Sequence, residues 1–330
     1  MRAWGVVLGL LAISVARPQT ISADQKAEVL NKVKEILTET AFVPGVNFDK
    51  WSEFVEARQT DLNAAEDKRR FSFILNRTLR EFGVSHISIS MAKPKPGTGG
   101  GDLALLQEPA KAPAVQELEW LDDKTVRFRL RTFGEQYDRR EVEKLFAEAG
   151  KAESLILDLR GNGGGAVSNL QHFLSHLLPP RTDVGTMVSR RIAKAYEEAT
   201  KGDPTNGLEI AKWTDRKFRT ATMSLEPFKG KVAVLTSRAS ASASEICAAA
   251  LREAKKSPIV GTRTAGAVLV SRIIGLPQGL EMKVPTADFY TAQYRRLEGN
   301  PLEPDAEENI RDTEACVKKA IELLSKISKS

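Results

Sequence analysis

Two short apolar runs, SLILDL over Ser154–Leu159 and KVAVLT over Lys231–Thr236, constrain this chain more than any other feature. Each has the length and character of a buried strand. Each is followed by a turn of small residues and then by a helical pattern, over 167–178 and 243–254. Further strands are expected around 258–260, 267–275 and 280–284, and an amphipathic helix over 312–328. Upstream, Val126, Phe128 and Leu130 alternate with Arg127, Arg129 and Arg131, the pattern of a strand with one wet face. Strand–helix alternation of this kind predicts an α/β fold with helices packed on a sheet.

The region before it reads differently. Residues 23–83 carry a helical pattern: Val29, Val33 and Leu37 recur every fourth residue, and Leu75, Leu79 and Phe82 do so near the end. Pro44-Gly45-Val46-Asn47 separates the first helix from the rest. A small helical bundle is expected. Residues 93–112 are rich in Pro, Gly, Lys and Ala and suit a flexible connection. The chain therefore divides into a helical region at 17–92, a linker at 93–112 and an α/β domain at 113–330. Residues 1–16 read as a signal peptide. Arg2 precedes an apolar stretch from Gly5 to Val15, and Ser14-Val15-Ala16 offers small residues for cleavage after Ala16. Arg17-Pro18 ends the run before a membrane anchor is complete. Export to the periplasm or the exterior is the expectation, with no membrane insertion after cleavage.

With 330 residues, 42% hydrophobic and 28% charged, the chain can bury a real core. Its net charge of +6 comes from Lys and Arg scattered among acids, which suits a solvated surface, so no nucleic acid partner is expected. The two cysteines, Cys247 and Cys316, make no disulfide framework. Both fall in helix-like segments, where buried thiols are expected, although one bridge stays open.

Three segments could carry chemistry. In Ser237–Glu245 (SRASASASE) a strand ends and a helix begins. A serine there sits where free N–H groups and the helix dipole favour negative charge, which suits a nucleophile and its oxyanion. A plain Ser/Ala-rich helix cap also fits. In Asp158–Gly165 (DLRGNGGG) bare amides of a Gly-rich turn could donate to an oxyanion. A functionless tight turn is the plain alternative. The same letters only weakly fit a dinucleotide fingerprint, because no acid lies near the required distance beyond the loop. The third segment is Ser85-His86, in the strand-like run VSHISIS. The other two of the three histidines, His172 and His176, are four apart on one helix. A metal pair is conceivable there, but no glutamate stands between them and no third ligand is evident. They are expected on a helix surface, with no metal or cofactor.

Together these segments resemble a known family. A strand ending in DLRGNGGG, then KVAVLTSRASASASEICAAAL, then IVGTRTAG, then LEGNPLEPD is similar to the catalytic domain of the tail-specific and C-terminal processing serine peptidases. That superfamily includes the tricorn core protease and the interphotoreceptor retinoid-binding proteins. The likeness runs over roughly residues 120–310, and FGVSHISI extends it toward residue 25. It implies a ClpP/crotonase-like α/β domain and a secreted or periplasmic serine-type endopeptidase acting on peptides or proteins.

The resemblance makes Ser242 the nucleophile. In the tail-specific branch a lysine in a Thr-x-Gly-Lys segment is the base. Here the segment is Thr264-Ala265-Gly266-Ala267, and neither Lys256 nor Lys283 substitutes in sequence. The tricorn-like branch uses a Ser-His pair and a late glutamate, matched by Ser85, His86 and Glu298. His86 would then be the base, with Ser85 and Glu298 orienting its ring, and the amides of Ala243 and Gly164 would bind the oxyanion. The tail-specific branch also inserts a PDZ domain before the sheet. The interval after His86 is too short for one, so tail specificity does not carry over. A catalytically inactive binder of an apolar ligand on the same fold is the alternative. Substrate preference and oligomeric state are not legible.

Overall fold

A computed structural model describes residues 20–92 and 115–327. The expected signal peptide at 1–16 and linker at 93–112 lie outside the described residues. Four helices come first: α1 (Ala23–Glu39), α2 (Trp51–Glu56), α3 (Gln59–Ala64) and α4 (Lys68–Leu79). Ser22 caps α1 by accepting from the Gln25 amide, and Asp67 caps α4 by accepting from the Arg70 amide. Strand β1 (Ser88–Met91) follows directly.

From residue 115 on the order is β2 (Gln116–Trp120), β3 (Thr125–Leu130), α5 (Arg139–Ala149), β4 (Ser154–Asp158), α6 (Val167–Ser175) and β5 (Asp183–Ser189). Then come α7 (Arg190–Thr200), α8 (Gly207–Trp213), β6 (Phe218–Arg219), β7 (Lys231–Thr236), α9 (Ala243–Lys255) and β8 (Ile259–Gly261). The chain ends with β9 (Val270–Leu276), β10 (Leu280–Thr291), β11 (Ala306–Glu307) and α10 (Thr313–Lys326).

The strands form two sheets. One has the order β11-β8-β7-β4-β3-β2 and is parallel except for the antiparallel β2–β3 pair. The apolar runs β4 and β7 lie side by side at its centre, Leu155 beside Val232 and Leu157 beside Val234. Both faces are covered, which is why these runs do not alternate. Leu155, Leu157, Val232 and Val234 pack with α5, α6 and α9, and Ile156, Ala233 and Leu235 with Cys316, Ala320 and Leu324 of α10. Cys247 and Cys316 are free, buried thiols.

The other sheet runs β1-β10-β5-β6, with β9 also on β10, and is antiparallel. Its β1, β9 and β10 share one core with the four N-terminal helices: Val33, Leu37, Phe71 and Leu75 pack with Ile89, Leu276, Met282 and Val284. The helical bundle is thus a cap on this sheet. No helix among the described residues is long and apolar enough to cross a membrane.

Candidate active site

The ends of β4 and β7 point at the same place. After β4 the chain enters Leu159–Gly165, and after β7 it enters Ser237–Ser242. Polar contacts lock the two loops together. Ser240 Oγ donates to the Leu159 carbonyl at 2.8 Å, Ser244 Oγ to the Asn162 carbonyl at 2.9 Å, and the Ala241 amide to the same carbonyl at 3.1 Å. The Arg160 guanidinium closes a buried pair with Asp158 at 2.7 Å and donates to the Ile310 carbonyl and Thr313 Oγ1 beside α10.

Ser242 sits at the start of α9 with φ 57° and ψ -119°. A non-glycine residue there costs on the order of 1–3 kcal/mol and persists only where its surroundings enforce it. They do so here. The Ser242 amide donates to the Ala267 carbonyl at 2.9 Å and to Glu245 Oε2 at 3.1 Å. Glu245 is buried, and its carboxylate also accepts from Thr264 Oγ1 at 2.6 Å, the Gly266 amide at 2.7 Å and the Ala267 amide at 2.9 Å. Burial pushes this carboxyl above its usual range, and those hydrogen bonds pull against it. The segment that carries lysine in the tail-specific branch is therefore a backbone strap that holds the Ser242 turn.

Gly164 packs against that turn with φ 93°. A Cβ there would stand 2.8 Å from the Ala241 carbonyl and from Ser242 Cβ, and 2.9 Å from the Ala243 amide. The expectation that Gly164 donates to an oxyanion needs correction, because its N–H already donates to Asn162 Oδ1 at 2.9 Å. Gly164 supplies clearance. Its carbonyl accepts from the Phe133 amide. In a trans peptide the N–H opposes the C=O, so the Gly165 N–H points away from Phe133. Among the described residues neither the Gly165 nor the Ala243 N–H has a protein acceptor.

Ser85, His86 and Glu298 come together from residues 213 positions apart. Glu298 is buried beside Leu297, and the preceding turn is tied down by Arg296 Nε donating to the buried Asp288 at 2.6 Å. Glu298 Oε1 accepts from the Ser85 amide at 2.7 Å, and Oε2 from Ser85 Oγ at 2.8 Å and from the Val268 amide at 2.8 Å. Ser85 Oγ lies 2.7 Å from His86 Nδ1. A hydroxyl has one proton, and here it goes to the carboxylate. Nδ1 must then carry the ring proton and donate to Ser85, which leaves the lone pair on Nε2. His86 lies just before β1 with φ 56°, a left-handed conformation that few non-glycine residues adopt. Burial, reinforced by the Lys283 ammonium, lowers His86 to about 4.

No hydrogen bond joins Ser242 Oγ to His86 among the described residues. What connects the two groups is the strap: Ala267 accepts from Ser242, and the next residue, Val268, donates to Glu298. One cavity of about 450 Å³ lies elsewhere, between α7 and α8, and is lined by Arg191, Trp213, Asp215 and Arg216 among others.

His172 and His176 depart from the sequence expectation. Both are buried, at 7% and 1% exposure, because α6 turns that face onto α5. The sequence reading missed the third group beside them, Glu143, because it comes from another helix.

The described chain superposes on a peptidase candidate from Parabacteroides merdae with a TM-score of 0.61 and 18% identity, covering 93% of this chain and all of that one. It superposes on the photosystem II D1 C-terminal processing protease with a TM-score of 0.54 and 15% identity, covering 94% of this chain and 99% of that one. In sequence it is 27% identical over 165 residues to the carboxy-terminal processing protease CtpB of Bacillus subtilis, which is 50% of this chain and 28% of the relative. The chain thus spans under a third of that relative's length. The family model described as Peptidase family S41 matches residues 124–308, more than half of the sequence. The chain belongs to peptidase family S41.

Proposed function

We propose that this chain is an exported serine-type endopeptidase that hydrolyses peptide bonds through an acyl-enzyme on Ser242. The observation that carries the reading is the Glu298–Ser85–His86 relay, which leaves Nε2 as the one imidazole nitrogen able to accept a proton. In the first step Ser242 Oγ attacks the substrate carbonyl while Nε2 takes its proton. The imidazolium keeps its Nδ1–H on Ser85, and Glu298 offsets the charge at one remove. The tetrahedral oxyanion accepts from the Ala243 N–H at the N-terminus of α9 and from the Gly165 N–H. Nε2 then returns the proton to the leaving amine. Water repeats the sequence on the ester and restores Ser242.

The gap between Ser242 and His86 is compatible with this, since catalytic hydrogen bonds often tighten only when substrate binds. A fluorophosphonate probe with mass mapping is the test. It should label Ser242, and the label should be lost in Ser242→Ala and much reduced in His86→Ala. An unlabelled wild-type chain, or a label on another serine, would sink the reading, and the first result would favour an inactive binder on the same fold.

The domain division at 17–92 and 113–330, cleavage after Ala16 and a peptide or protein substrate belong to the same proposal. The interval between β1 and β2 is short for a carboxylate-reading insertion of the tail-specific kind, so a peptide should be cut at similar rates whether its C-terminus is free or amidated.

A further inference from the structure

We propose that Glu143, His172 and His176 form a binding site for a divalent metal ion of the zinc class, joining α5 to α6. The three come from different turns. His172 lies in α6 and His176 caps it, four residues on and over the same face. Glu143 lies in α5 and reaches them from the solvent side. Their ligand atoms all fall within 4.8 Å of one another. Metal–ligand bonds of roughly 2.0–2.2 Å in a tetrahedral site bring such atoms somewhat closer together, a contraction within reach of side-chain adjustment.

Two features separate this cluster from ordinary packed histidines. The first is His176, which is only 1% exposed, yet neither of its ring nitrogens has a protein partner. Leaving both unpaired in the interior is costly. Phe146 stacks on the ring at 4.9 Å and holds its plane, and a neutral imidazole always keeps one ring nitrogen with a free lone pair. The second is the support behind His172. Tyr137 Oη lies 2.8 Å from His172 Nδ1, while Nε2 faces Glu143 Oε1 at 3.3 Å. An outer hydrogen bond on one nitrogen that aims the other is how metal-ligating histidines are oriented.

Two neutral imidazoles and one carboxylate suit a borderline dication and are a poor match for calcium or magnesium, which favour all-oxygen sets. Glu143 keeps 45% of its side chain exposed, which gives an ion a way in and leaves room for water as a fourth ligand. Because α6 begins directly after Gly161–Gly165, an ion here would pin the helix that carries the loop facing Ser242.

The full chain, stripped with a chelator and dialysed, should be titrated with Co²⁺ and then Zn²⁺. One equivalent of Co²⁺ should give the visible absorption of a four- or five-coordinate ion, and Zn²⁺ should displace it. At ~100 times the dissociation constant, zinc should lower the unfolding equilibrium constant ~100-fold. His176→Gln and Glu143→Gln should abolish the spectrum in chains whose circular dichroism is unchanged. Tyr137→Phe, a milder change, should weaken binding ~10-fold or more. The chain has three histidines, so His86→Ala is the control and should keep the spectrum. No Co²⁺ signal on the folded wild type, a signal that survives His176→Gln and Glu143→Gln together, or one lost in His86→Ala would overturn the proposal.

Discussion

The two halves of the candidate site are built by opposite means. The Ser242 half is made where parallel strands β4 and β7 end, and most of its partners are main-chain groups: the Leu159, Asn162 and Ala267 carbonyls accept from the residues around Ser242, and the Glu245 carboxylate gathers the Ser242, Gly266 and Ala267 amides. The His86 half is made at the edge of an antiparallel sheet under a helical cap, and side chains hold it: Glu298 to Ser85, Ser85 to His86. Backbone networks tolerate many side-chain changes but not a change of backbone shape. A side-chain relay breaks when one functional group is removed. The difference says where each half should be fragile.

Removing an end of the proposed chemistry should do most. Ser242→Ala and His86→Ala should each lower kcat/KM on the order of 10⁴-fold or more, and the double variant little further, because members of one catalytic unit are not additive. Independent, multiplying losses would show that the halves do not work as one unit. Next is the backbone test. Gly164→Ala puts a methyl 2.8 Å from the Ala241 carbonyl and Ser242 Cβ at a φ of 93°. It should cost stability of about 1–3 kcal/mol and lower kcat far more than it raises KM. A folded Gly164→Ala chain with normal kcat would mean that the Ser242 turn is not held by this close approach.

Glu298→Gln should be milder, with a loss of roughly 10²-fold, because the ring keeps Ser85 as a partner and loses only the carboxylate behind it. The smallest effect concerns pH. Activity should fall as pH drops through the His86 titration, which protonates Nε2. Burial and Lys283 lower that titration to about 4, so the acid limb should sit well below 6.5. Lys283→Met removes one depressing charge and should move the limb to higher pH. A limb that stays in place would show that the ammonium does not act on the ring.

How far the site was legible follows the same division. Ser242 and its neighbours lie in contiguous segments whose small residues must pack at strand ends, so the sequence marks the segment, while a helix cap fitted equally and the choice of Ser242 within it came from family likeness. The pair β4 and β7 was equally plain, since a run buried on both faces is apolar throughout. Ser85, His86 and Glu298 carry no local signature. Their association needs β1 to register on β10, with Ser88 opposite Lys283, and it became visible only through family likeness. His172 and His176 were paired by their spacing on one helix, but their third companion lies on another helix, which spacing does not reveal. The Gly164 expectation misread the loop because Asn162 turns back two residues on, a side-chain choice that glycine spacing does not encode. Strand 267–275 was expected too early. Its first residues serve as the strap, and β9 starts at Val270. The stretch with β5, α7, α8 and β6 gave no reading at all, and β10 was expected to end at residue 284, yet it runs on to Thr291, where β5 supplies a partner.

The strap's downstream anchors also govern when such a site can exist during synthesis. Ribosomes deliver Ser85 and His86 first, Ser242 next and Glu298 only later, followed by the Ile310 and Thr313 groups that hold Arg160. Until the chain has grown past these positions, His86 has no anchored partner and the loop after β4 is unmoored. A nascent chain would therefore carry Ser242, the proposed nucleophile, without an anchored partner until Glu298 and α10 have followed it. On the proposed mechanism, activity would switch on with the last tertiary contacts.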